Sequence, residues 1–474
     1  MPGTHTLLGV DPDQTLLPGA KSEFKQRRMM LGVDHQINDD WKLAWKYMYN
    51  DANMPLNLWS LVVGMYDPVN PGDPLLYDGW LTGSIGRQRT HATLLELTGK
   101  VETGALQHTL LFGIDHYKTR TQEDGIDKCY ACPPEDYFNP PALGPLSDYI
   151  DISDYLLTQR ETSIYFQDQI AFRDRFHVLL GGRYQRLKEH SFYQDDFGSL
   201  ENIPYKKNNF LPRAAVLWQP IPTMSLYYSY TENSGVSQGL DANNDPIKPE
   251  LSVQHEVGAK FDLLEGRLIA SAAVFDLTKD NVASTDSLSG QVAAIGRVNS
   301  KGLELSAQGA LTDRWNILTT YNYARPVIKV GTENPPASAA GASALTAGNK
   351  LPYFSQHAFS VLTRYWLPVE GWTVGGSYNW FSAPIMDESS SVKSEAYQTV
   401  SAFVSYQTRL GGYQTTFQLN VDNLFDEEYL LYQGDFGVPY AADPTLGFGY
   451  TGANYVGGNW GAPRQVRLGL RMAF

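Results

Sequence analysis

Several features are scarce or missing in this chain of 474 residues. It contains no run of about 18 apolar residues, which excludes an ordinary transmembrane helix. The first residues, 1–6, form neither a basic nor an apolar region, so no export signal is visible there. If the protein is exported, we expect its precursor to begin upstream. The net charge of −14 argues against nucleic acid as a partner, because nucleic-acid binding requires clustered Lys and Arg.

Cysteine is limited to two residues, Cys129 and Cys132, in a Pro-containing stretch. Two cysteines at this spacing can form a redox motif or half of a zinc site. No second pair and no βαβ pattern accompany them, which weakens both readings. We expect a disulfide at a loop tip, formed in an oxidising compartment.

Aromatic residues and glycine are abundant, with 29 Tyr, 20 Phe, 10 Trp and 42 Gly. Apolar and polar residues alternate in many segments, for example in 223–230 and 413–422. Alternation with a period of two is typical of β-strands with two different faces. Amphipathic helical periodicity is not convincing anywhere, so the sequence predicts an all-β protein.

The last strand shows the alternation most clearly. Val466, Leu468, Leu470, Met472 and Phe474 share one face, because successive side chains of a strand point to opposite sides. A strand that ends the chain on Phe is typical of outer-membrane β-barrels, although a soluble sandwich can contain one such strand. A membrane barrel also lacks long apolar runs, since only half of each strand faces lipid.

The connections between the predicted strands come in two sizes. Tight turns are predicted at 37–40, 102–105, 173–175, 219–222, 264–266, 312–314, 368–371 and 410–412. Long polar connections are predicted at about 51–81, 122–156, 193–205, 234–249, 281–291, 328–350, 384–394 and 430–462. Short turns on one side and long loops on the other are typical of transmembrane antiparallel β-barrels. The tight turns define hairpins that, with the final strand, give 17 strands.

A motif near the end indicates a family. The segment 419–429, with Asn423, Leu424, Phe425, Asp426 and Tyr429, resembles the V-x-N-L-F-D-x-x-Y signature of TonB-dependent outer-membrane receptors. The segment 460–465 resembles the entry to their last strand, and weaker matches occur at 165–169, 181–184, 256–260, 273–281 and 301–305. We expect the motif to be structural, with Asn and Asp shaping a turn while Leu and Phe pack or anchor at the interface.

The resemblance extends from about Phe24 to the end and is strongest to the ferric-siderophore branch, particularly the hydroxamate receptors. Those receptors have 22 strands and an N-terminal plug, so the resemblance implies that this chain starts before the sixth strand and lacks the plug. Residues 1–21 would then be a remnant of an extracellular loop, and 22–474 the barrel strands. The resemblance also implies that Phe474 is recognised by the barrel-assembly machinery.

The family's ligand is a ferric siderophore, and its receptors are monomers in outer-membrane lipid of Gram-negative bacteria, driven by the TonB-ExbB-ExbD complex. The contact segment for TonB is expected to be absent here. Because the siderophore saturates its own iron, no cofactor and no protein metal site are expected. Aromatic rings suit such a ligand, since they offer wide contact area at low entropic cost. The loop candidates are Trp59, Tyr66, Tyr130, Tyr137, Tyr432, Phe436, Tyr440, Tyr455 and Trp460.

Other functions are weakly supported. The nine His residues form no metal-binding pattern, and neither a G-x-S-x-G motif nor a P-loop occurs, so no enzyme is predicted. A passive porin-like channel is the main alternative, and a soluble all-β binding protein is a second one. The latter requires that the apolar strand faces be buried. Heme, vitamin B12 or another large nutrient are alternatives to a siderophore. Without the plug, we expect the chain not to transport by itself.

Overall fold

The structure is a computed structural model that describes most of the chain. The described residues are 23–66, 76–127, 135–136, 150–173, 175–195, 200–235, 249–285, 292–331, 347–352, 354–385, 393–435 and 456–473. Cys129, Cys132, Tyr130, Tyr137, Phe436, Tyr440, Tyr455 and Phe474 lie outside them, as do residues 1–22. Within the described ranges, no helix has the length and apolarity needed to cross a membrane.

The described residues form β-strands, in agreement with the all-β prediction. The strands are β1 Glu23–Gln36, β2 Trp41–Tyr66, β3 Leu76–Thr103, β4 Leu106–Asp127, β5 Glu135–Asp136, β6 Ile150–Phe172, β7 Phe176–Asp195, β8 Leu200–Ile221, β9 Met224–Ser234, β10 Leu251–Leu263, β11 Leu268–Thr285, β12 Val292–Thr312, β13 Trp315–Val330, β14 His357–Trp366, β15 Trp372–Phe381, β16 Tyr397–Leu410, β17 Tyr413–Asp422, β18 Leu430–Asp435, β19 Val456–Trp460 and β20 Gln465–Ala473. Apart from the short strands β5, β18 and β19, this part of the chain contains the predicted 17 strands.

Strands that follow one another pair in antiparallel register, for example β1 with β2, β10 with β11 and β12 with β13. β17 pairs with β20, so the connection that contains β18 and β19 lies between two neighbouring strands. The tight turns fall where the sequence predicts them. At 264–266 the chain adopts left-handed φ values, including 84° at Gly266, which glycine accepts without strain.

The predicted long connections are too long in several places, because paired strands continue into them. β2 and β3 pair as far as Tyr66 and Leu76, where the sequence predicts a loop over 51–81. Two register shifts, after Met54 and after Val62, absorb the irregular residues of this segment. Pro55 lies within the first shift, where no ladder hydrogen bond is required of it. The alternation is lost at such bulges, which explains why the sequence reads as a loop.

By its internal contacts, the chain divides into two compact units. Among the described residues, the N-terminal unit comprises those within 23–173 and 178–213, and the C-terminal unit comprises those within 175–177 and 214–473. In each unit the sheet has an apolar face and a polar face. In the N-terminal unit, Trp45, Leu95, Ile114 and Ile164 lie directly opposite one another on the apolar face.

The same arrangement is present in the C-terminal unit, where Val374, Val404, Leu419 and Leu468 follow one another across the apolar face. These side chains are not buried, since Ile164 is 56% exposed and Leu468 is 86% exposed. A soluble all-β protein would bury such a face. An exposed apolar face beside a polar face is the arrangement of a membrane barrel strand, whose outer side faces lipid.

Candidate functional site

A network of charged groups lies on the polar face of the N-terminal unit. Arg183 on β7 donates two hydrogen bonds to the carboxylate of Asp115 on β4, at 2.6 and 2.9 Å. It donates a third to Glu161 on β6, at 2.9 Å. One guanidinium therefore bridges two carboxylates on two other strands. Charge-assisted bonds of this kind fix the positions of the side chains.

A tyrosine extends this network. The Tyr165 hydroxyl donates to Glu96 on β3 at 2.7 Å, and the Arg183 guanidinium lies 5.5 Å from the centre of the Tyr165 ring. The ring covers Gly113 so closely that a Cβ added to this glycine would be 2.1 Å from it. Gly113 is opposite Tyr165 in the β4–β6 register. Because Gly113 has no Cβ, the Tyr165 ring can lie directly over its backbone.

The C-terminal unit repeats this arrangement with other residues. Tyr227 on β9 donates to Glu256 on β10 at 2.6 Å, and its ring covers Gly258. The ammonium group of Lys260 lies 5.5 Å from the ring centre. Neither cluster is predicted by the sequence patterns described above. The signal for such a cluster is a Gly opposite a Tyr on the neighbouring strand, with a Glu nearby. This signal can be recognised only once the register of the two strands is known.

The Asn423 motif forms a hydrogen-bonded turn between β17 and the start of β20. The buried Asn423 side chain donates to the carbonyl oxygens of Glu427 and Ala462, at 2.9 and 3.1 Å, and accepts from the Glu427 N–H at 2.9 Å. Asp426 accepts from the Arg464 N–H at 2.7 Å. Asn423 and Asp426 have φ values of 48° and 57°, which Asn and Asp tolerate better than most residues.

The other motif residues have separate contacts. The Leu424 N–H donates to the Val400 carbonyl at 2.6 Å, and the Phe425 side chain is 73% exposed. The Tyr429 ring stacks on Tyr397 with 4.5 Å between ring centres and covers Gly461. These contacts link the end of β17 to β16 and to the segment that leads into β20.

The predicted ligand contacts are only partly within the described backbone. Trp59 and Tyr66 lie in β2, Tyr432 in β18 and Trp460 in β19, so all four are in paired strands rather than in irregular loops. β2 continues its pairing with β3 as far as Tyr66, whereas β18 and β19 form a separate two-stranded sheet. Tyr432 lies opposite Asn459, and Trp460 lies opposite Leu430. Tyr130, Tyr137, Phe436, Tyr440 and Tyr455 lie outside the described residues, as do Cys129 and Cys132. No group of three or more His, Cys, Asp or Glu that could hold a metal occurs in the described ranges.

Antiparallel strands with an exposed apolar face and a hydrogen-bonded polar face define an outer-membrane β-barrel protein. The chain belongs to the family "TonB dependent receptor-like, beta-barrel", whose model matches residues 3–424. It is therefore a protein of the outer membrane of Gram-negative bacteria.

Curated relatives agree with this family. The ferrioxamine B receptor of Salmonella typhimurium is 28% identical over 417 residues, which are 86% of this chain and 56% of that protein. The ferrichrome outer membrane transporter/phage receptor of Escherichia coli K12 is 25% identical, over 87% of this chain and 56% of that protein. This chain thus spans about half the length of the curated relatives it matches. These relatives are named as receptors and transporters, not as enzymes.

Solved structures have the same fold. The siderophore receptor PiuA from Acinetobacter baumannii superposes with a TM-score of 0.74 at 21% identity, covering 87% of this chain and 62% of that one. The ferric-catecholate import receptor Fiu from E. coli K12, in its closed form, gives a TM-score of 0.74 at 18% identity, covering 95% and 64%.

Proposed function

We propose that this chain supplies the barrel of a TonB-dependent receptor that imports ferric siderophores across the outer membrane. The observation that carries the proposal is the family match over residues 3–424, together with relatives named for ferrioxamine and ferrichrome. Ferrioxamine and ferrichrome are hydroxamate siderophores, so we propose a hydroxamate ligand class.

The polar face supports a transport path. Its carboxylates and tyrosine hydroxyls are held by other side chains in two places, around Arg183 and around Tyr227. In a barrel of this family the polar face lines the interior, and a polar interior suits a large hydrophilic ligand. The protein need not bind the iron itself, because the siderophore supplies its ligands.

Transport would require energy from the TonB-ExbB-ExbD complex. In receptors of this family, TonB acts on the plug, and the barrel provides the wall and the extracellular ligand contacts. We therefore propose that the residues of this chain need a plug for transport. A fusion of this chain behind the plug-bearing N-terminal part of a receptor of this family supplies a plug for the experiments.

Ligand affinity tests the proposed contacts. In the fusion protein, Tyr130→Ala and Tyr432→Ala should each weaken binding of ferrioxamine B about tenfold, the loss expected when a well-packed aromatic contact of about 1.4 kcal/mol is removed. Tyr365→Ala is the matched control, since Tyr365 is an exposed aromatic residue beside the short turn at 368–371 and should not affect binding. Unchanged affinity in both loop variants would remove them as contacts.

A passive channel makes a different prediction. It would conduct small ions through planar bilayers when fused to the plug-bearing segment, and its solute uptake would not depend on TonB. The siderophore receptor should instead bind the ferric ligand and remain closed in the bilayer. Steady open-channel conductance without measurable siderophore binding would replace the proposal with the channel.

A further inference from the structure

A small cavity lies in the C-terminal unit, where the chain leaves the ends of β13 and β15 for the next strand. The Leu351 N–H donates to the Pro326 carbonyl at 3.0 Å, and the Ser394 N–H donates to the Pro384 carbonyl at 3.0 Å. Both connections are therefore closed by backbone hydrogen bonds, which hold the cavity wall in place. The cavity has a volume of about 60 Å³. A few water molecules or one small polar group would fill it.

The cavity lies on the polar face of the sheet. Tyr323 and His357 lie opposite each other on the apolar face, in line with Leu303. Pro326 lies three residues after Tyr323, and Gln356 lies one residue before His357, so both point to the polar side. Both residues line the cavity. In a barrel of this family the polar face lines the interior, so the cavity lies on the side proposed for ligand passage.

Two lysines give the cavity a positive charge. Lys350, which is half-buried, and Lys393, which is exposed, both line it. Within the described part of the chain, neither lysine forms an ion pair, and no acidic residue is among the lining residues. Cations without a counter-ion attract an anion, most strongly where water is partly excluded.

Gln356 adds a hydrogen-bond donor that the described residues do not use. The Lys350 ammonium donates to Gln356 Oε1 at 3.2 Å. Because an ammonium can only donate, this contact fixes which end of the amide is the oxygen. The Nε2 atom at the other end is buried and has no hydrogen-bond partner among the described residues. An unpaired buried donor is unfavourable, so it favours an acceptor that enters the cavity.

A carboxylate is the group that fits these features. Its two oxygens accept hydrogen bonds, and its negative charge offsets the charge of the lysines. A water molecule can accept from Gln356, but it would leave both lysines without a counter-ion. The cavity is too small for a whole ferric siderophore, because pockets that enclose a small molecule have volumes of roughly 300 Å³ or more. Only an arm of such a ligand could enter.

An aromatic surface lies beside the cavity. Ala383, which lines the cavity, follows two residues after Phe381 and lies on the same face, about 7 Å along the chain. The Phe381 ring stacks on Tyr397 with 5.0 Å between ring centres, and Tyr397 stacks on Tyr429 at 4.5 Å. Aromatic rings offer wide contact area to the uncharged part of a ligand. The polar face thus places an aromatic stack next to a cationic cavity.

We propose that the cavity binds the free carboxylate of a ferric siderophore, whose iron-chelating part lies against the aromatic stack. This inference rests on the proposed function and narrows its ligand class to siderophores that carry a free carboxylate. Lys350 and Lys393 supply the charge, and Gln356 Nε2 supplies a directed hydrogen bond. A free carboxylate such as acetate has the same chemistry, so the experiments separate the two sources.

The first test compares two ferric complexes in the fusion protein. One is ferrioxamine B with a succinyl group on its terminal amine, and the other is the same complex with the succinyl carboxylate converted to a carboxamide. The wild type should bind the carboxylate form at least about fivefold more tightly. The variant K350Q/K393Q should bind the two forms within about twofold of each other. The control K329Q removes an exposed cation of β13 that is not among the lining residues, and it should keep the preference.

The second test examines the cavity without a siderophore. Acetate is titrated onto the full chain in micelles of a detergent without carboxylate groups, and saturation-transfer difference NMR measures its binding. The signal should be similar for the wild type and K329Q and at least about fivefold weaker for K350Q/K393Q. Raising the concentration of sodium chloride should weaken it.

Equal binding of the two complexes by the wild type would overturn this inference and leave the proposed function intact, whereas no binding of either complex would refute the proposed function. An undiminished preference in K350Q/K393Q would also overturn the inference. An acetate signal without any preference between the complexes would assign the cavity to a free carboxylate instead. The thermal unfolding temperature checks that each variant folds. If the double variant does not fold, K393Q alone carries the test, with at least a twofold loss of preference expected and no loss contradicting the proposal.

Discussion

Replacing Asn423 by Ala tests the structural account of the turn between β17 and β20. The buried side chain makes three hydrogen bonds, to Glu427 and Ala462, so the variant loses about 3 kcal/mol at about 1 kcal/mol for each bond. Alanine at a φ of 48° adds about 1 kcal/mol. The free energy of unfolding should therefore fall by about 4 kcal/mol.

Guanidinium unfolding of the protein in detergent micelles, followed by Trp fluorescence, measures this change. Asn423→Asp keeps the acceptor and tolerates the left-handed backbone, but its second carboxylate oxygen faces the two carbonyl oxygens, so it should lose at least the two donated bonds, about 2 kcal/mol or more. Asn322→Ala, at an exposed position of β13, is the matched control and should stay within about 0.5 kcal/mol of the wild type. An Asn423→Ala variant within about 1 kcal/mol of the wild type would refute the reasoning.

Two further predictions concern the polar face. Gly113→Ala should destabilise the protein by roughly 1–3 kcal/mol, because the new methyl group displaces the Tyr165 ring. Gly32→Ala is the control and should be tolerated better, since the nearest atom to its new methyl group would be 3.9 Å away. Equal unfolding midpoints for the two variants would contradict this prediction. Arg183→Met should cost about 1–3 kcal/mol, since Asp115 and Glu161 then face each other without their shared donor. Adding Asp115→Asn should recover part of that loss, and a double variant less stable than Arg183→Met would contradict the bridging role.

Much of the fold was accessible from the sequence. The alternation in 413–422 and 464–474 predicted two strands, and the register confirms that Leu419 and Leu468 share a face. Short turns such as 410–412 contain Gly and interrupt the alternation of apolar and polar residues. Their positions can therefore be predicted from neighbouring residues alone. The strand count followed from these turns.

The strand ends were predicted less well. Pro55 and the polar residues around it read as a loop, yet β2 continues through register shifts to Tyr66, because pairing with β3 outweighs local preference. Trp59 was placed in a loop for the same reason. Local sequence does not contain this information, since the stabilising partner is a distant strand.

The polar clusters could not be predicted, because they depend on register. Arg183, Asp115 and Glu161 lie on three different strands, and their separations in sequence give no hint of contact.

Uptake of iron-55 tests the central claim most directly. Cells without their own siderophore receptors would produce the chain fused behind the plug-bearing N-terminal part of a receptor of this family. Iron supplied as ferrioxamine B or ferrichrome should accumulate in TonB-positive cells and stay at background in TonB-negative cells. Accumulation that is equal in both strains, or absent for every hydroxamate siderophore although the fusion protein is folded in the outer membrane, would contradict the account.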